Sequence, residues 1–262
     1  PKKLAGTTIP LKYNDPDELT RIVTTNNDVG VIVLEGARYD YPTSEFIDTI
    51  NNLAKKHEIV IICDEITSGW RVTDGGVYKT NNLKPDIVVY GKGMGNGYAI
   101  SSVVGKSEVM DVAQETFISS TFWTERIGFV SALKTIEIIT KNKVWEHLIE
   151  MGSMIGKGWI KLARKHDLRI SITEFKPCIT MKLDYGNMNN EITTFFTQEM
   201  LARGYLAGPS VYPSFSHDSK TIEKYLNNVD EVFNILSKTL RENTLKNFLK
   251  TKVRKNGFIR LT

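Results

Sequence analysis

The stretch IVIICDEITSGWR, residues 59–71, decides the fold, because five apolar residues run directly into two carboxylates. A short, β-branched and nearly uninterrupted apolar run is typical of a parallel strand that is covered on both faces. Two further runs have the same character, VGVIVL at residues 29–34 and IVVY at residues 87–90. We therefore predict three buried parallel strands, and residues 99–104 are a candidate for another strand.

A helical pattern separates the first two strands. Pro42 and Thr43 or Ser44 mark its start, and one apolar stripe follows at helical spacing, formed by Phe46, Ile47, Ile50, Leu53 and Ala54. Strand, helix and strand in this order form the βαβ unit of an α/β fold with a mainly parallel sheet.

The pattern changes after residue 124. We predict a long helix from about Ile127 that breaks near residues 141–143 and resumes through residues 144–159. Strands are expected at residues 169–173 and 178–183. They are followed by a helix over residues 191–203 and a last helix over residues 222–240, which Ser216, Asp218 or Ser219 would cap.

The composition excludes several classes of protein. The 262 residues are 41% hydrophobic and 24% charged, which excludes disordered and fibrous chains. No apolar run approaches the length of a membrane span. Two cysteines, Cys63 and Cys178, are too few for a disulfide framework, so we expect a reduced, cytoplasmic protein. The 4 histidines do not cluster with these cysteines, and no metal site is predicted.

The net charge of +4 is unevenly distributed. Residues 241–262 hold seven basic residues and one acidic residue, a charge of +6, which leaves −2 for residues 1–240. This body predicts no nucleic-acid partner and no membrane partner. A solvated tail or helix is the favoured interpretation of the basic end, and contact with nucleic acid or membrane is its alternative.

Charged side chains leave two of the predicted strands at their carboxyl ends, where α/β sheets bind ligands. Asp64 and Glu65 follow one strand, and Lys92, between Gly91 and Gly93, follows the next. An apolar strand that ends in Asp-Glu also occurs in P-loop NTPases. However, the phosphate loop of that class requires Ser or Thr after its lysine, and Gly93 stands there.

A lysine and a carboxylate at neighbouring strand ends suit pyridoxal phosphate (PLP). A lysine amine forms a Schiff base with an aldehyde. A buried carboxylate pairs with the protonated pyridine nitrogen and keeps the ring an electron sink. Glycines beside the lysine let a planar cofactor approach the backbone. Taken singly, a lysine after a strand such as Lys92 is usually a solvated loop residue, Asp64 is compatible with a capping role, and Glu65 is expected to be structural.

These residues resemble the class III (subgroup II) aminotransferases of fold type I, and within them the glutamate-1-semialdehyde 2,1-aminomutase branch. The family pattern after the strand is matched by Asp64, Glu65, Ile66, Gly69, Trp70 and Arg71. Pro85-Asp86 precedes the next strand, and Gly91-Lys92 follows it, with Lys92 28 residues after Asp64.

The resemblance implies a role for each matched residue. Lys92 would form the Schiff base with PLP and then act as the base and acid of the proton shift. Asp64 would pair with the pyridine nitrogen, and Ile66 would pack on the ring. Thr121, and less directly Ser120, would bind the cofactor phosphate of the neighbouring subunit, which implies a homodimer. The substrates would be a small-molecule amino donor and a carbonyl acceptor. For Thr121, the alternative is a capping role for the helix that begins near Glu125.

The resemblance also divides the chain. Residues 1–140 would be the C-terminal part of the PLP-binding large domain, and residues 141–262 the small C-terminal α+β domain. The front of the family's large domain has no counterpart here. The turn at residues 121–126, TFWTER, lacks the family's Asn-Pro and argues against the aminomutase's own substrate. Transaminase and aminomutase chemistry stay open. The alternative function is a truncated, non-catalytic fragment that needs a partner chain, which predicts exposed apolar surface where further strands would pack.

Overall fold

The structure is a computed structural model that describes residues 4–119 and 121–255. The chain forms two compact units, Pro1–Trp145 and Glu146–Thr262, which we call unit 1 and unit 2. Among the described residues, no helix combines the length and the apolar character that crossing a membrane requires.

Unit 1 alternates helices and strands along most of its length. Its elements are α1 (Pro16–Thr25), β1 (Val31–Glu35), α2 (Ser44–His57), β2 (Val60–Asp64), β3 (Ile87–Tyr90), β4 (Ser102–Gly105), α3 (Ser107–Met110) and α4 (Arg126–Asn142). The start of α2 is the predicted one, because the Thr43 hydroxyl accepts a hydrogen bond from the Phe46 backbone N–H at 3.2 Å. The helix after residue 124 also ends as predicted, since Lys143 adopts a left-handed backbone with a φ of 46°.

The four strands of unit 1 form one sheet in the order β1-β2-β3-β4. The three predicted strands are present and parallel, with bounds within two residues of the expected ones. The additional strand lies at Ser102–Gly105 and is antiparallel to β3. Parallel pairing brings the carboxyl ends of β1, β2 and β3 to the same edge, where Asp64 stands opposite Glu35 and Val89.

The prediction that these strands are covered on both faces is wrong for β1. Ile32 and Leu34 are buried, but Val31 and Val33 are 48% and 65% exposed. Successive side chains of a strand point to opposite faces, so one face of β1 packs on the core and the other is open. The apolar run predicted the strand correctly and its surroundings incorrectly.

Unit 2 is an α+β unit. The helix α5 (Val144–Lys165) leads into it, and β5 (Ile170–Ile172), β6 (Ile179–Leu183), α6 (Asn189–Ala202), β7 (Ser210–Val211) and α7 (Ser219–Arg241) follow. The strands form an antiparallel sheet in the order β5-β6-β7. Of the three expected caps of α7, the side chain of Asp218 is the one that accepts from a backbone N–H, that of Thr221 at 2.7 Å.

The core of unit 2 is aromatic. Trp159, Phe195, Phe196 and Phe233 are almost completely buried, and all of them lie in one cluster made of unit 2 residues. The Trp159 indole N–H donates to the Tyr225 hydroxyl at 3.0 Å, so its polar atom is satisfied inside the core.

Candidate active site

Two strand ends define the candidate site. Asp64 is the last residue of β2, and Lys92, two residues after the end of β3, begins a one-turn 3₁₀ helix, Lys92–Met94. Because β2 and β3 are parallel and Asp64 pairs with Val89, both side chains leave the same edge of the sheet. The structure therefore places the two principal residues predicted from the sequence at one edge.

The Asp64 carboxylate is partly engaged by its own turn. Its Oδ1 accepts a hydrogen bond from the Ile66 backbone N–H at 2.8 Å. Its Oδ2 has no hydrogen-bond partner within the part of the chain that the structure describes. A carboxylate oxygen with free acceptor capacity can bind a protonated ring nitrogen.

Ile66 flanks the segment that carries the lysine. A Cβ placed on Gly91 would lie 3.6 and 3.7 Å from the Cγ2 and Cγ1 atoms of Ile66, and 3.8 Å from the Cβ of Ser101. Ile66 is half-buried and so offers an apolar surface beside Lys92. This neighbourhood is consistent with the predicted packing of Ile66 on a ring, which stays a prediction.

Lys92 is held in an unusual backbone conformation. Its φ of 41° lies in the left-handed region, which costs a residue with a Cβ about 1–2 kcal/mol. The turn that follows requires glycine, because a Cβ on Gly95 would overlap the Tyr98 carbonyl oxygen. Strained conformations of this kind persist where the surrounding structure enforces them, and they concentrate at functional sites.

The amine of Lys92 has a defined partner. Lys92 itself is exposed, but its Nζ donates a hydrogen bond to the Oγ1 of the buried Thr67 at 2.7 Å. The Thr67 carbonyl in turn accepts from Nε of Arg71 at 2.9 Å. Sequence reasoning missed Thr67, because a threonine in a turn carries no local signal that its hydroxyl faces a residue 25 positions away.

Glu65, next to Asp64, points into the protein and is 1% exposed. Its Oε2 accepts from the Ser68 hydroxyl at 2.5 Å, and its Oε1 accepts from the Tyr78 backbone N–H at 3.1 Å. The Cys63 thiol lies 3.5 Å from the same Oε1. Burial, followed by the charge of Glu65, raises the pKa of that thiol, so Cys63 stays protonated at neutral pH.

Of the two residues predicted to bind the phosphate, Thr121 is the one that the structure describes. Thr121 is exposed in the turn before α4, and among the described residues it makes no hydrogen bond to Asp64 or Lys92. Ser120 lies outside the described residues. The alternative capping role of Thr121 is wrong, because the N-cap of α4 is Glu125 and, within the described ranges, no side chain caps that helix.

Comparison with known proteins shows the family. The family model "Aminotransferase class-III" matches residues 17–174, which contain both strand ends. The chain belongs to the class III aminotransferases. The expected family membership is therefore confirmed.

Two curated relatives cover most of this class III chain. It is 32% identical over 219 residues to the 3-aminobutyryl-CoA aminotransferase of Cloacimonas acidaminovorans, covering 80% of this chain and 53% of that protein. It is 25% identical over 246 residues to the glutamate-1-semialdehyde 2,1-aminomutase of Nitrosopumilus maritimus, covering 86% and 58%. The chain thus spans between half and three fifths of the length of these relatives.

Solved structures share the fold. The FumI protein of Sphingopyxis sp. MTA144, solved in its PLP internal aldimine form, superposes with a TM-score of 0.83 at 20% sequence identity. The match covers 89% of this chain and 58% of that one. The predicted fold, a partial fold type I α/β architecture, is confirmed.

Proposed function

We propose that this chain carries the lysine-bearing part of a PLP-dependent enzyme that transfers an amino group between a small-molecule amino donor and a carbonyl acceptor. One observation carries the proposal: the Lys92 amine is held by the Thr67 hydroxyl at the sheet edge where Asp64 ends β2. The likeness to a chain solved in a PLP form supports the choice of cofactor.

The donor set fits PLP. The Oδ2 of Asp64 has the capacity to accept from the ring nitrogen, Ile66 offers an apolar flank, and Lys92 offers an amine for covalent attachment. Bound there, PLP supplies an electron sink for the carbon that bears the amino group. With PLP bound there, Lys92 Nζ would be the group that takes up and returns the proton. Thr67 Oγ1 holds that nitrogen close to the edge.

Two types of reaction are compatible with this site. Transamination and aminomutation use the same lysine and carboxylate, and the curated relatives include one protein of each kind. We propose amino-group transfer as the common chemistry, with the substrate class limited to small molecules.

We further propose a cytoplasmic homodimer in which Thr121 and Ser120 bind the phosphate in the partner's site. The exposed apolar side chains concentrated in residues 112–138 support the association; they are Val112, Phe117, Ile118, Phe122, Trp123, Ile127, Phe129, Val130, Leu133 and Ile138. Large apolar side chains exposed in such number within one segment are typical of a surface that a protein partner covers. Both cysteines are free and buried, which agrees with a reducing compartment.

One observation favours a second candidate. The open face of β1, with Val31 and Val33 exposed, is what a non-catalytic fragment that needs a partner chain would show. In that case the chain alone would not hold the cofactor. The two candidates therefore differ in whether the isolated chain binds PLP at Lys92.

Covalent trapping tests the proposal. The chain is incubated with PLP, reduced with borohydride and digested, and the modified peptide is identified by mass spectrometry. We expect modification at Lys92 with an absorbance band that disappears in Lys92→Ala. Lys106→Ala is the matched control, because Lys106 is an exposed lysine of unit 1 that pairs with Asp86 at 2.7 Å. Labelling spread evenly over the surface lysines would contradict the proposal and support the alternative that the chain is a non-catalytic fragment.

A further inference from the structure

Glu65 takes no part in the chemistry proposed above, yet three segments of unit 1 converge on its carboxylate. Ser68 and Tyr78 donate to its two oxygens, and Cys63 approaches one of them. Burying a carboxylate is unfavourable unless hydrogen bonds replace the lost water. Here the donors are supplied by the turn after β2 and by the short 3₁₀ helix Val77–Lys79.

Two glycines make room for this carboxylate. A Cβ on Gly36, directly after β1, would lie 2.5 Å from Oε1 and 2.8 Å from Cδ of Glu65. A Cβ on Gly76 would lie 2.5 Å from the same two atoms. Real Cβ contacts are not this short, so both positions exclude larger residues as long as Glu65 is in place.

The turn that Glu65 holds is the turn that presents the site. The Gly69 backbone N–H donates to the Glu65 carbonyl at 2.7 Å, and the Arg71 N–H donates to the Ser68 carbonyl at 3.1 Å. Thr67, the partner of Lys92, lies between Glu65 and Ser68. Fixing the Ser68 side chain therefore also fixes the backbone from which the Thr67 hydroxyl reaches Lys92.

We infer that Glu65 is a positioning residue of the candidate site, which acts through Ser68 and the Tyr78 amide to hold the turn of residues 64–71 against Lys92. The inference rests on the proposed function of that site. It assigns Glu65 no contact with substrate or cofactor, and it makes the hydrogen bonds of the carboxylate, rather than its charge, the basis of the role.

The test compares Glu65→Ala and Glu65→Gln with Ile50→Ala in the full chain. Glutamine keeps the length of the side chain, its carbonyl oxygen can accept from Tyr78 N–H, and its amide can donate to the Ser68 hydroxyl, which can rotate. Ile50 is completely buried in α2 and its truncation destabilises unit 1 without touching the Glu65 bonds, so it is the matched control. Two readouts are taken: trapping of PLP at Lys92, and hydrogen exchange of the amides of residues 66–71 relative to those of α1, a helix that contains none of the substituted residues.

For Glu65→Ala we expect exchange of residues 66–71 to accelerate about tenfold relative to α1, because buried donors lose their acceptor, and trapping at Lys92 to fall by a similar factor. Glu65→Gln should stay within about twofold of the wild type in both readouts. Ile50→Ala should leave the exchange ratio unchanged. The inference is overturned if Glu65→Ala changes both readouts no more than Ile50→Ala, or if Glu65→Gln behaves like Glu65→Ala.

The two proposals fail in different ways. Absence of trapping at Lys92 in the wild type removes the proposed function, and the exchange ratio, which needs no cofactor, still decides whether Glu65 holds the turn. If Glu65→Ala does not fold, Ser68→Ala replaces it, because that change removes a single bond. An unchanged exchange ratio in Ser68→Ala would then overturn the inference.

Discussion

Unit 1 and unit 2 differ in how completely they bury their apolar side chains. The aromatic core of unit 2 is sealed by its own residues, and Trp159 is completely buried. Unit 1, which carries the candidate site, leaves Phe129 and Leu133 of α4 55% and 72% exposed, in addition to the open face of β1. Unit 2 therefore has a closed core, whereas unit 1 leaves apolar side chains of β1 and α4 exposed, and it is on these that the proposed association rests.

The largest expected effect is on the free energy of unfolding, and it is tested by truncating one aromatic residue in each unit. Trp159→Ala should lower the free energy of unfolding by about 4 kcal/mol, because it leaves a cavity in a closed core. Phe129→Ala, on the open surface of α4, should change it by less than about 0.5 kcal/mol when the chain is diluted until it is monomeric. Urea unfolding followed by circular dichroism measures both values. Similar losses for the two variants would show that the surface of α4 is covered within this chain.

A second prediction concerns tight packing inside unit 1. Gly36→Ala should cost about 2 kcal/mol of unfolding free energy, because the methyl group would meet the Glu65 carboxylate. Gly30→Ala, at the other end of β1, is the matched control, since no atom of the described residues lies within 4 Å of a Cβ there. In the Glu65→Ala background, Gly36→Ala should cost much less unfolding free energy than it does in the wild type, and the difference is the coupling energy of the two positions. Equal losses of unfolding free energy for the two glycine changes would mean that unit 1 is loosely packed around Glu65 as well as on the open face of β1.

A third prediction tests the open surface as an interface. Phe129→Asp should weaken self-association by about tenfold or more, since it places a charge in the proposed contact. Leu206→Asp in unit 2 is the control, because Leu206 is also strongly exposed but lies away from that surface in sequence. Sedimentation equilibrium measures the dissociation constants. A monomeric wild type, or equal weakening by both variants, would contradict the homodimer.

The smallest expected effect is electrostatic and belongs to unit 2. Hydrogen bonds from Lys165, and then from His166, lower the pKa of Asp230. A depressed carboxyl pKa adds stability above the unfolded value, near 3.9, and this stability disappears as the pH falls through the folded value. Because the pair is largely solvated, its loss should amount to no more than about 0.5 kcal/mol.

Unfolding of the wild type and Asp230→Asn at neutral pH and at about pH 3 isolates this contribution. The wild type should lose slightly more stability than the variant on acidification. An identical pH dependence would show that the Lys165 and His166 contacts contribute nothing to unit 2.

Much of the fold was predictable because its signals are local. The apolar stripe of α2, the Thr43 cap and the strand that ends at Asp64 are set by neighbouring residues, and the structure confirms them. The family pattern around Asp64 and Lys92 then indicated which strand ends matter, and parallel pairing brings them to one edge. The roles proposed for Asp64, Ile66, Lys92, Ser120 and Thr121 remain predictions.

The remainder depends on contacts between residues far apart in sequence. The Thr67 hydroxyl and the Lys92 amine meet only after β2 and β3 are paired. Gly36 and Gly76 are explained by Glu65, which no local pattern connects to them. The burial of both faces of β1 was mispredicted for the same reason. An apolar run predicts a buried strand, but it does not indicate which residues pack on each face.

The left-handed backbone of Lys92 has a consequence for how this protein would respond to selection. Glycine adopts a φ of 41° without a Cβ penalty, so Lys92→Gly should stabilise the fold by about 1 kcal/mol while removing the amine. A laboratory screen that rewards heat resistance alone would therefore favour loss of the residue on which the proposed chemistry depends. At this position stability and the proposed catalysis oppose each other, so a lysine would be retained there only while that reaction is selected.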